Sequence, residues 1–163
     1  MIQGITETGI IANISTEDNR IDTSVASTQI RFLIKFINDL DGSIDYVYPQ
    51  LTIGIKPRFT KMLFTYYLVN PPSNMFIGGI HLLPAGHWKY EVYEVSWTGT
   101  VTLAQGFAPT TEREVLPVGA TVGVVQGIVN KGILNLTEKA GTEQVQYNQH
   151  TAPTGTNTIY YGQ

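Results

Sequence analysis

The sequence predicts a single all-β domain folded as a sandwich or a barrel. Residues that suit a pleated surface, namely Val, Ile, Thr, Tyr and Phe, recur throughout the chain, and helix signals are almost absent. Gly, Pro, Asn and Asp interrupt the apolar stretches at short intervals, which is typical of turns between strands. The length of 163 residues suits one domain with an adequate core, and the absence of cysteine excludes disulfides.

The opening segment, residues 1–27, predicts an N-terminal arm or a short edge strand, and residues 28–163 predict a single β-sandwich domain. The opening segment is polar with scattered apolar positions, of which Ile10 and Ile11 could form a short strand. Its first nine residues hold neither a basic region nor an apolar run, so we expect no signal peptide. We expect one terminus to pack on a neighbouring subunit, and the alternative is that both termini fold back as edge strands.

Alternation of apolar side chains with a period of two predicts the strands of the first half. In the first clear strand, Ile30, Phe32 and Ile34 share one face. Gly78 and Gly79 indicate a bulge in the last strand of this half. The strands predicted here are 28–37, 44–48, 60–69 and 75–82.

The strongest strand pattern spans residues 87–97, where Trp88, Tyr90 and Val92 point to the same side. Trp88 directly follows a glycine-containing turn, so we expect its side chain to be buried. Together with the matching positions of the other strands, this face forms the predicted core. Its members are Ile30, Phe32, Ile34, Met62, Phe64, Tyr66, Trp88, Tyr90 and Val92.

The second half has weaker patterns. Residues 99–113 are predicted as a loop, with room for one short strand near 101–103. Glycine recurs at every fourth position of 115–129, but the density of β-branched residues and Pro117 favour one or two strands over a helix-packing stripe. The remaining predictions are strands at 132–136 and 143–147, and a last strand or docking segment at 159–161.

Charged residues are scarce, at 14% of the chain against about 25% in an ordinary soluble domain. Such a surface is either ordinary variation among β-rich proteins or one that partners cover, and the composition leaves both open. The net charge of −3 provides no basic patch for phosphates, so no nucleic-acid partner is expected. No apolar run approaches the roughly 18 residues of a membrane helix, so no membrane partner is expected either.

The three histidines, His81, His87 and His150, lie at spacings that match no zinc-binding pattern. His81 and His87 flank a turn, and His150 lies far along the chain. His87 and Glu91 share a strand face but are about 13 Å apart, at roughly 3.3 Å per residue. We therefore expect no metal site, no cofactor and no convergence of histidines on a catalytic site.

The carboxylates give no catalytic arrangement either. Glu91 and Glu94 point to opposite faces of one strand, so they cannot form a glycosidase pair. Asp39, Asp41 and Asp45 surround a glycine turn that resembles a Ca²⁺ loop, but the closing Glu is missing and a hairpin turn is favoured. No nucleophile or phosphate-binding motif occurs. We predict that the protein is not an enzyme and has no catalytic, cofactor-binding or metal-binding residues.

Several segments resemble known proteins. Residues 83–94, LPAGHWKYEVYE, resemble the tyrosine-corner turn of immunoglobulin-like sandwiches, in which an aromatic residue leads into a central strand. Trp88 takes the place of the corner tyrosine, so the usual hydroxyl bond back to the chain is not assured. The same segment is similar to a stretch of small virion proteins of tailed bacteriophages, including crAss-like and marine phages. Further segments resemble these proteins in order and spacing: 36–39, 46–48, 58–62, 138–147 and 160–161.

The resemblance covers residues 30–163 and implies an antiparallel β-sandwich, either immunoglobulin-like or a jelly-roll. It implies a non-enzymatic virion structural protein, a capsid auxiliary or decoration protein that binds the phage head. The expected partners are the major capsid protein or other virion proteins, met in multiple copies or as a homo-oligomer, and the expected location is the virion. A tail or neck component is a close alternative that the sequence does not separate from the first.

A carbohydrate-binding, lectin-like sandwich is the alternative from another functional class. Such a module would use Trp97, Tyr93 or Tyr67 as a stacking platform for sugar rings. The two functions differ in whether exposed aromatic side chains form one flat row or are dispersed over several faces.

Overall fold

The computed structural model describes residues 1–51, 58–69 and 74–140, and within these ranges the fold is all-β, as predicted. Nine strands and three single-turn 3₁₀ helices make up its regular structure. The strands are β1 (Ile2–Ile5), β2 (Ile10–Ile14), β3 (Ile30–Asn38), β4 (Ile44–Val47), β5 (Gln50–Leu51), β6 (Thr60–Tyr66), β7 (Gly79–Ile80), β8 (Gly86–Ser96) and β9 (Val124–Thr137). The 3₁₀ helices are Glu17–Asn19, Ser27–Gln29 and Met75–Ile77.

The strands form two sheets. The large sheet has the order β1-β9-β8-β3-β4, and the small sheet has the order β2-β6-β5 with β7 paired to β6. Most pairs are antiparallel, but β1 runs parallel to β9 and β7 runs parallel to β6. The large sheet is therefore mixed, which corrects the expectation of a purely antiparallel arrangement. A parallel pair needs a long connection, and for β1 and β9 this connection is nearly the whole domain.

One apolar cluster, which we call the inner core, draws side chains from both sheets. The predicted core positions belong to it, apart from Tyr66, which is only partly buried at its margin. The Tyr66 hydroxyl donates to the Leu82 carbonyl at 3.0 Å, so its ring spans from apolar to polar surroundings. β2 contributes every second residue, which the sequence patterns did not assign to the core. These contributions are Ile10, Ala12 and Ile14.

The predicted strand at 75–82 is broken into two pieces. The 3₁₀ helix Met75–Ile77 comes first and β7 follows, with Gly78 between them. Gly78 has a φ of 85°, and a Cβ there would lie 2.9 Å from the Leu63 carbonyl oxygen. The backbone turns left-handed at this point, which only glycine tolerates without strain.

The strands predicted within 115–129 and 132–136 merge into one. Residues 115–123 have no regular structure, and β9 then runs unbroken for 14 residues. A Cβ at Gly132 would lie 2.6 Å from the Tyr90 hydroxyl, so glycine makes room for a β8 aromatic ring. No strand forms at 101–103. The predictions for 143–147 and 159–161 lie outside the described residues.

A long segment between β8 and β9, residues 98–123, folds back over the outer face of the large sheet; we call it the strap. It covers a second apolar cluster, the outer core, to which it contributes Ala108. The backbone of the strap is tied to itself where the Gly123 amide donates to the Phe107 carbonyl at 2.8 Å. The sheet therefore buries apolar side chains on both faces. The other buried members of the outer core are Leu33, Tyr48, Tyr93, Val95 and Trp97.

The turn before β8 places Trp88 as predicted, with 2% of the side chain exposed. Its indole Nε1 donates to the Pro84 carbonyl at 3.1 Å. The Asn38 side-chain amide reaches the same carbonyl at 3.4 Å from the end of β3. The indole thus makes the bond back to the chain that a corner tyrosine would make through its hydroxyl.

Residues 1–27 pack on their own domain. β1 is an edge strand of the large sheet and β2 is an edge strand of the small one. The buried carboxylate of Glu94 accepts the backbone amides of Ile21 at 3.0 Å and Asp22 at 2.7 Å, which holds the segment before β3. Two pieces of the opening segment are thus strands paired within the described part of the chain. None of the described helices has the length and apolar character to span a bilayer.

Candidate interaction surfaces

The histidines are dispersed in the described residues. His81 is half-buried just after β7, and its Nδ1 lies 2.7 Å from the Tyr67 carbonyl oxygen. His87 is exposed on β8, and His150 lies outside the described residues. Within the described ranges, no three histidine, aspartate or glutamate side chains gather as metal ligands would.

The turn between β3 and β4 has the hairpin form rather than a calcium-binding form. The Asn38 side-chain oxygen accepts the Leu40 amide at 2.7 Å, and Asp41 accepts the Ser43 amide at 2.9 Å. Asp39 pairs outward with Lys89. Each carboxylate therefore serves a separate local contact, and they do not converge on one point.

Asp45, the third aspartate of this group, is turned towards the small sheet side of the fold. Its carboxylate accepts the Tyr46 amide at 3.0 Å and the His81 amide at 3.3 Å. Burial raises its pKa above the ordinary value, and these two hydrogen bonds oppose the shift without cancelling it. Asp45 thus links β4 to the residue that follows β7.

Glu91 belongs to an ionised network beneath the strap, which we call the strap cluster. The Lys35 Nζ lies 2.8 Å from Glu112 Oε1 and 3.9 Å from Glu91 Oε2. The Tyr46 hydroxyl donates to the other oxygen of Glu112, and the Tyr93 hydroxyl donates to Glu91 at 2.7 Å. The strap cluster thus comprises one lysine, two glutamates and two tyrosines.

The charges of the strap cluster are fixed by its own contacts. Burial alone would raise the pKa of Glu112, but hydrogen bonds from Lys35 and Tyr46 outweigh it and lower the pKa to about 2. Burial and the carboxylate partners raise the pKa of Tyr46 and of Tyr93. Glu112 is therefore ionised at neutral pH and already paired with Lys35 and Tyr46, so this carboxylate anchors the strap to the sheet.

The sequence could not have identified the strap cluster. Lys35 and Glu112 are 77 residues apart, and Glu112 lies in a loop without periodicity. The Tyr48 hydroxyl reinforces the same attachment by donating to the Pro109 carbonyl at 2.7 Å.

The aromatic residues considered for sugar binding are mostly covered. Trp97 is fully buried and Tyr93 is 8% exposed, both under the strap. Gly123 of the strap lies against the Trp97 ring, where a Cβ would approach within 2.5 Å. Tyr67 is half-buried directly after β6. These three side chains do not form a flat exposed row.

A groove of about 500 Å³ lies at one end of the two sheets; we call it the end groove. The β1–β2 turn, the end of β6, the turn before β8 and the residues after β9 meet there. Apolar side chains form most of its wall, and Leu68 and Leu83 remain largely exposed. Its lining includes Glu7, Tyr66, Leu68, His81, Leu83 and Glu138.

The rim of the end groove is acidic. Glu7 has a left-handed backbone, with a φ of 63°, and its carboxylate lies 3.3 Å from Lys139 Nζ. Glu138 adds a second carboxylate to the lining. Burial and the charge of Glu7 raise the pKa of Tyr66, whose side chain lines the same groove.

The strap carries the most exposed apolar residues of the fold, on a stretch from 113 to 118 that we call the strap tip. Val115 is 93% exposed and Val118 is fully exposed. The Arg113 side chain is 91% exposed. Glu114 is turned inward, since its carboxylate accepts the Thr110 amide at 2.6 Å.

Comparison of the chain with protein-family models, with curated proteins and with solved structures found no match.

Proposed function

We propose that this chain is a non-enzymatic virion structural protein, an auxiliary or decoration protein that binds the head of a tailed bacteriophage. It would act by surface complementarity with the major capsid protein or other virion proteins, in multiple copies. A tail or neck component is the close alternative. The observation that carries the proposal is the corner at Trp88, because it lies in residues 83–94, one of the segments whose order and spacing make up the sequence resemblance.

The geometry of that corner supports the proposal. Trp88 is buried and closes on the Pro84 carbonyl, as the aromatic residue of a tyrosine corner does. Asn38 lies in the resembling segment 36–39 and reaches the same carbonyl. Two segments that are distant in sequence but linked by the resemblance therefore meet at one backbone atom.

The strand order favours an immunoglobulin-like sandwich over a jelly-roll. The neighbours β9-β8-β3-β4 lie opposite β2-β6-β5, and this arrangement corresponds to strands G-F-C-C′ opposite B-E-D of that fold. The corner then lies at the start of the strand that corresponds to F, where the family places it. We propose this sandwich type for the domain.

The surface supports a role in binding proteins. The chain has few charged residues, and two exposed surfaces with apolar character stand out, the end groove and the strap tip. Protein interfaces have apolar centres depleted of charge. The main ionisable network, the strap cluster, is internally paired, so catalysis is not part of the proposal.

The proposal is tested on purified phage particles that encode the chain. Mass spectrometry of the particles should detect it in many copies, and cryo-electron microscopy should place a density of its fold on the capsid surface. A density at the tail or neck would select the alternative location. Absence of the chain from purified particles would refute a virion function.

The carbohydrate alternative is tested separately with the purified protein. Binding to a glycan array, lost on Tyr67→Ala, would support that alternative. The capsid proposal expects no glycan binding above background for either protein.

A further inference from the structure

We propose that the strap tip of one copy of this chain inserts into the end groove of the next, so that copies associate head to tail. This deepens one part of the proposed function, the assembly in multiple copies, and does not depend on the location in a virion. Each copy would donate one tip and receive one. Such a contact joins two different surfaces of the protein. It therefore builds a closed ring if the rotation from one copy to the next closes after a whole number of copies, and an open filament if it does not.

The shapes of the two surfaces are complementary. The end groove is a concave apolar surface of about 500 Å³, within the range of pockets that bury compact ligands. The strap tip is a convex apolar loop with Val115 and Val118 almost entirely in solvent. Burying both valines would remove the largest unfavourable exposure on the strap.

The charges are complementary as well. The groove presents Glu7 and Glu138, against which Lys139 supplies one opposing charge near Glu7. The tip presents the exposed guanidinium of Arg113. An Arg that meets carboxylates at the rim of an apolar contact adds specificity and speeds association.

The carboxylates beside Arg113 already have partners within the same chain. Glu112 is bound to Lys35 and Tyr46, and Glu114 is bound to the backbone and hydroxyl of Thr110. The Arg113 Nε is 3.9 Å from Glu112, at the limit of an ion pair. The guanidinium can therefore engage a second molecule without breaking a strong contact.

The contact joins two copies of the chain. In the described fold the tip faces solvent, and the groove is lined by other elements. Within residues 1–51, 58–69 and 74–140, both halves of the contact are therefore unsatisfied. A neighbouring copy satisfies both without any change of fold.

Complementation of defective copies tests the head-to-tail arrangement. A tip variant combines Val115→Ser with Val118→Ser, and a groove variant combines Leu83→Ser with Glu138→Lys. All four positions are exposed, so circular dichroism should show unchanged folding. In sedimentation velocity at low salt, the tip variant alone should self-associate at least about a hundredfold more weakly than wild type, because each of its two valines contributes about 1.5–3 kcal/mol when buried. The groove variant should be weakened in the same direction.

Mixing the two variants should restore one contact, because the groove variant keeps its tip and the tip variant keeps its groove. The mixture should therefore form a one-to-one dimer that does not grow further. Leu40→Ser is the matched control, since Leu40 is 83% exposed on the β3–β4 turn, and it should associate like wild type. A wild-type monomer at all concentrations, or a mixture that stays monomeric, would overturn the proposal. Equal weakening by Leu40→Ser would do the same.

Cross-linking identifies the occupant of the groove. The chain has no cysteine, so Ala85→Cys can carry a benzophenone label as the single reactive site beside the groove. Mass spectrometry should find the label attached to residues 113–118 of another copy. Attachment to residues 141–163, or to a different protein when particles are present, would overturn the proposal. The test uses the purified protein alone, without virus particles. The head-to-tail contact can therefore be refuted while the virion function is retained, and the virion function can be refuted while the head-to-tail contact is retained.

Discussion

The two faces of the large sheet are covered in different ways. The inner core is closed by a second sheet, and its members interdigitate from both layers, as in the edge-to-face pair of Phe36 and Phe64 at 5.7 Å. The outer core is closed by the strap, a loop held by side-chain hydrogen bonds and the Lys35–Glu112 ion pair. One sheet therefore buries apolar side chains under a regular cover on one face and under an irregular cover on the other. The attachment of the irregular cover includes an ion pair between Lys35 of the sheet and Glu112 of the strap.

The two tryptophans divide between these regions and give the largest expected effect. Trp88→Ala should lower the free energy of unfolding by about 3–5 kcal/mol, because it opens a cavity between the sheets and removes the bond to Pro84. Urea denaturation measures the loss. A loss below about 1 kcal/mol would place Trp88 at the surface and contradict the β8 register.

Trp97→Ala should release the strap before the rest of the domain. Trp97 packs under Gly123 in the outer core, so its loss removes the main apolar support of the strap while the inner core stays intact. Local openings of this kind cost less than global unfolding. Hydrogen exchange should show protection lost in 98–123 and kept in β3 and β8. Equal loss in all strands would mean that the two cores unfold as one unit.

Glu112→Gln tests how much the Lys35–Glu112 ion pair contributes to the attachment of the strap. It leaves Lys35 without its closest partner, and the expected cost is about 1–3 kcal/mol. Trypsin cleavage at Arg113, the only basic residue of the strap, should become faster. Arg113→Gln, at a side chain that is almost fully exposed, is the stability control and should change the free energy of unfolding by less than about 0.5 kcal/mol.

The Glu112 carboxylate makes the stability of the domain depend on pH, and the sign of this dependence follows from its pKa. Folding lowers the pKa of Glu112 from 4.5 to about 2, so its contribution to stability is complete above pH 4.5 and is lost as the pH falls towards 2. Wild type should therefore lose stability faster than Glu112→Gln over that interval in pH-dependent melts. Parallel curves for the two proteins would contradict the attachment described for the strap.

Asp45 is expected to have the smallest effect on stability, and its pH dependence has the opposite sign to that of Glu112. Burial raises its pKa, so the native state gains stability as the pH falls and Asp45 takes up a proton. Asp45→Asn loses one weak hydrogen bond from a backbone amide, but it also removes a buried charge. At pH 7 these two effects on the free energy of unfolding should cancel to within about 1 kcal/mol. Difference melts against wild type check both statements, and a large loss at pH 7 would show that the charged form is required.

Alternation was sufficient to predict β3, β6 and β8, three of the strands that carry the inner core. Phe32, Ile34, Trp88 and Val92 all face the second sheet, because a period of two leaves a strand only two choices of face. The parallel placement of β1 could not be predicted, since parallel pairing with a distant strand leaves no local signal.

The candidate surfaces were largely beyond sequence reasoning. The strap cluster joins residues far apart in the chain, and the end groove is formed by four separate turns and strand ends. The exposed valines of the tip could have been suspected from their position beside Pro117 in a segment without periodicity. Their exposure depends on how the strap folds back, which no local pattern encodes.

The pairing of β1 with β9 has a consequence for biosynthesis. Residues 2–5 leave the ribosome before their sheet partners, residues 134–137. At about 5–20 residues per second, β1 waits on the order of ten seconds for β9 to emerge. During that interval the backbone groups of β1 that later pair with β9 lack their native partner. The domain therefore closes its large sheet after translation of nearly all its strands, and a slow ribosome prolongs the time for which its first edge is open.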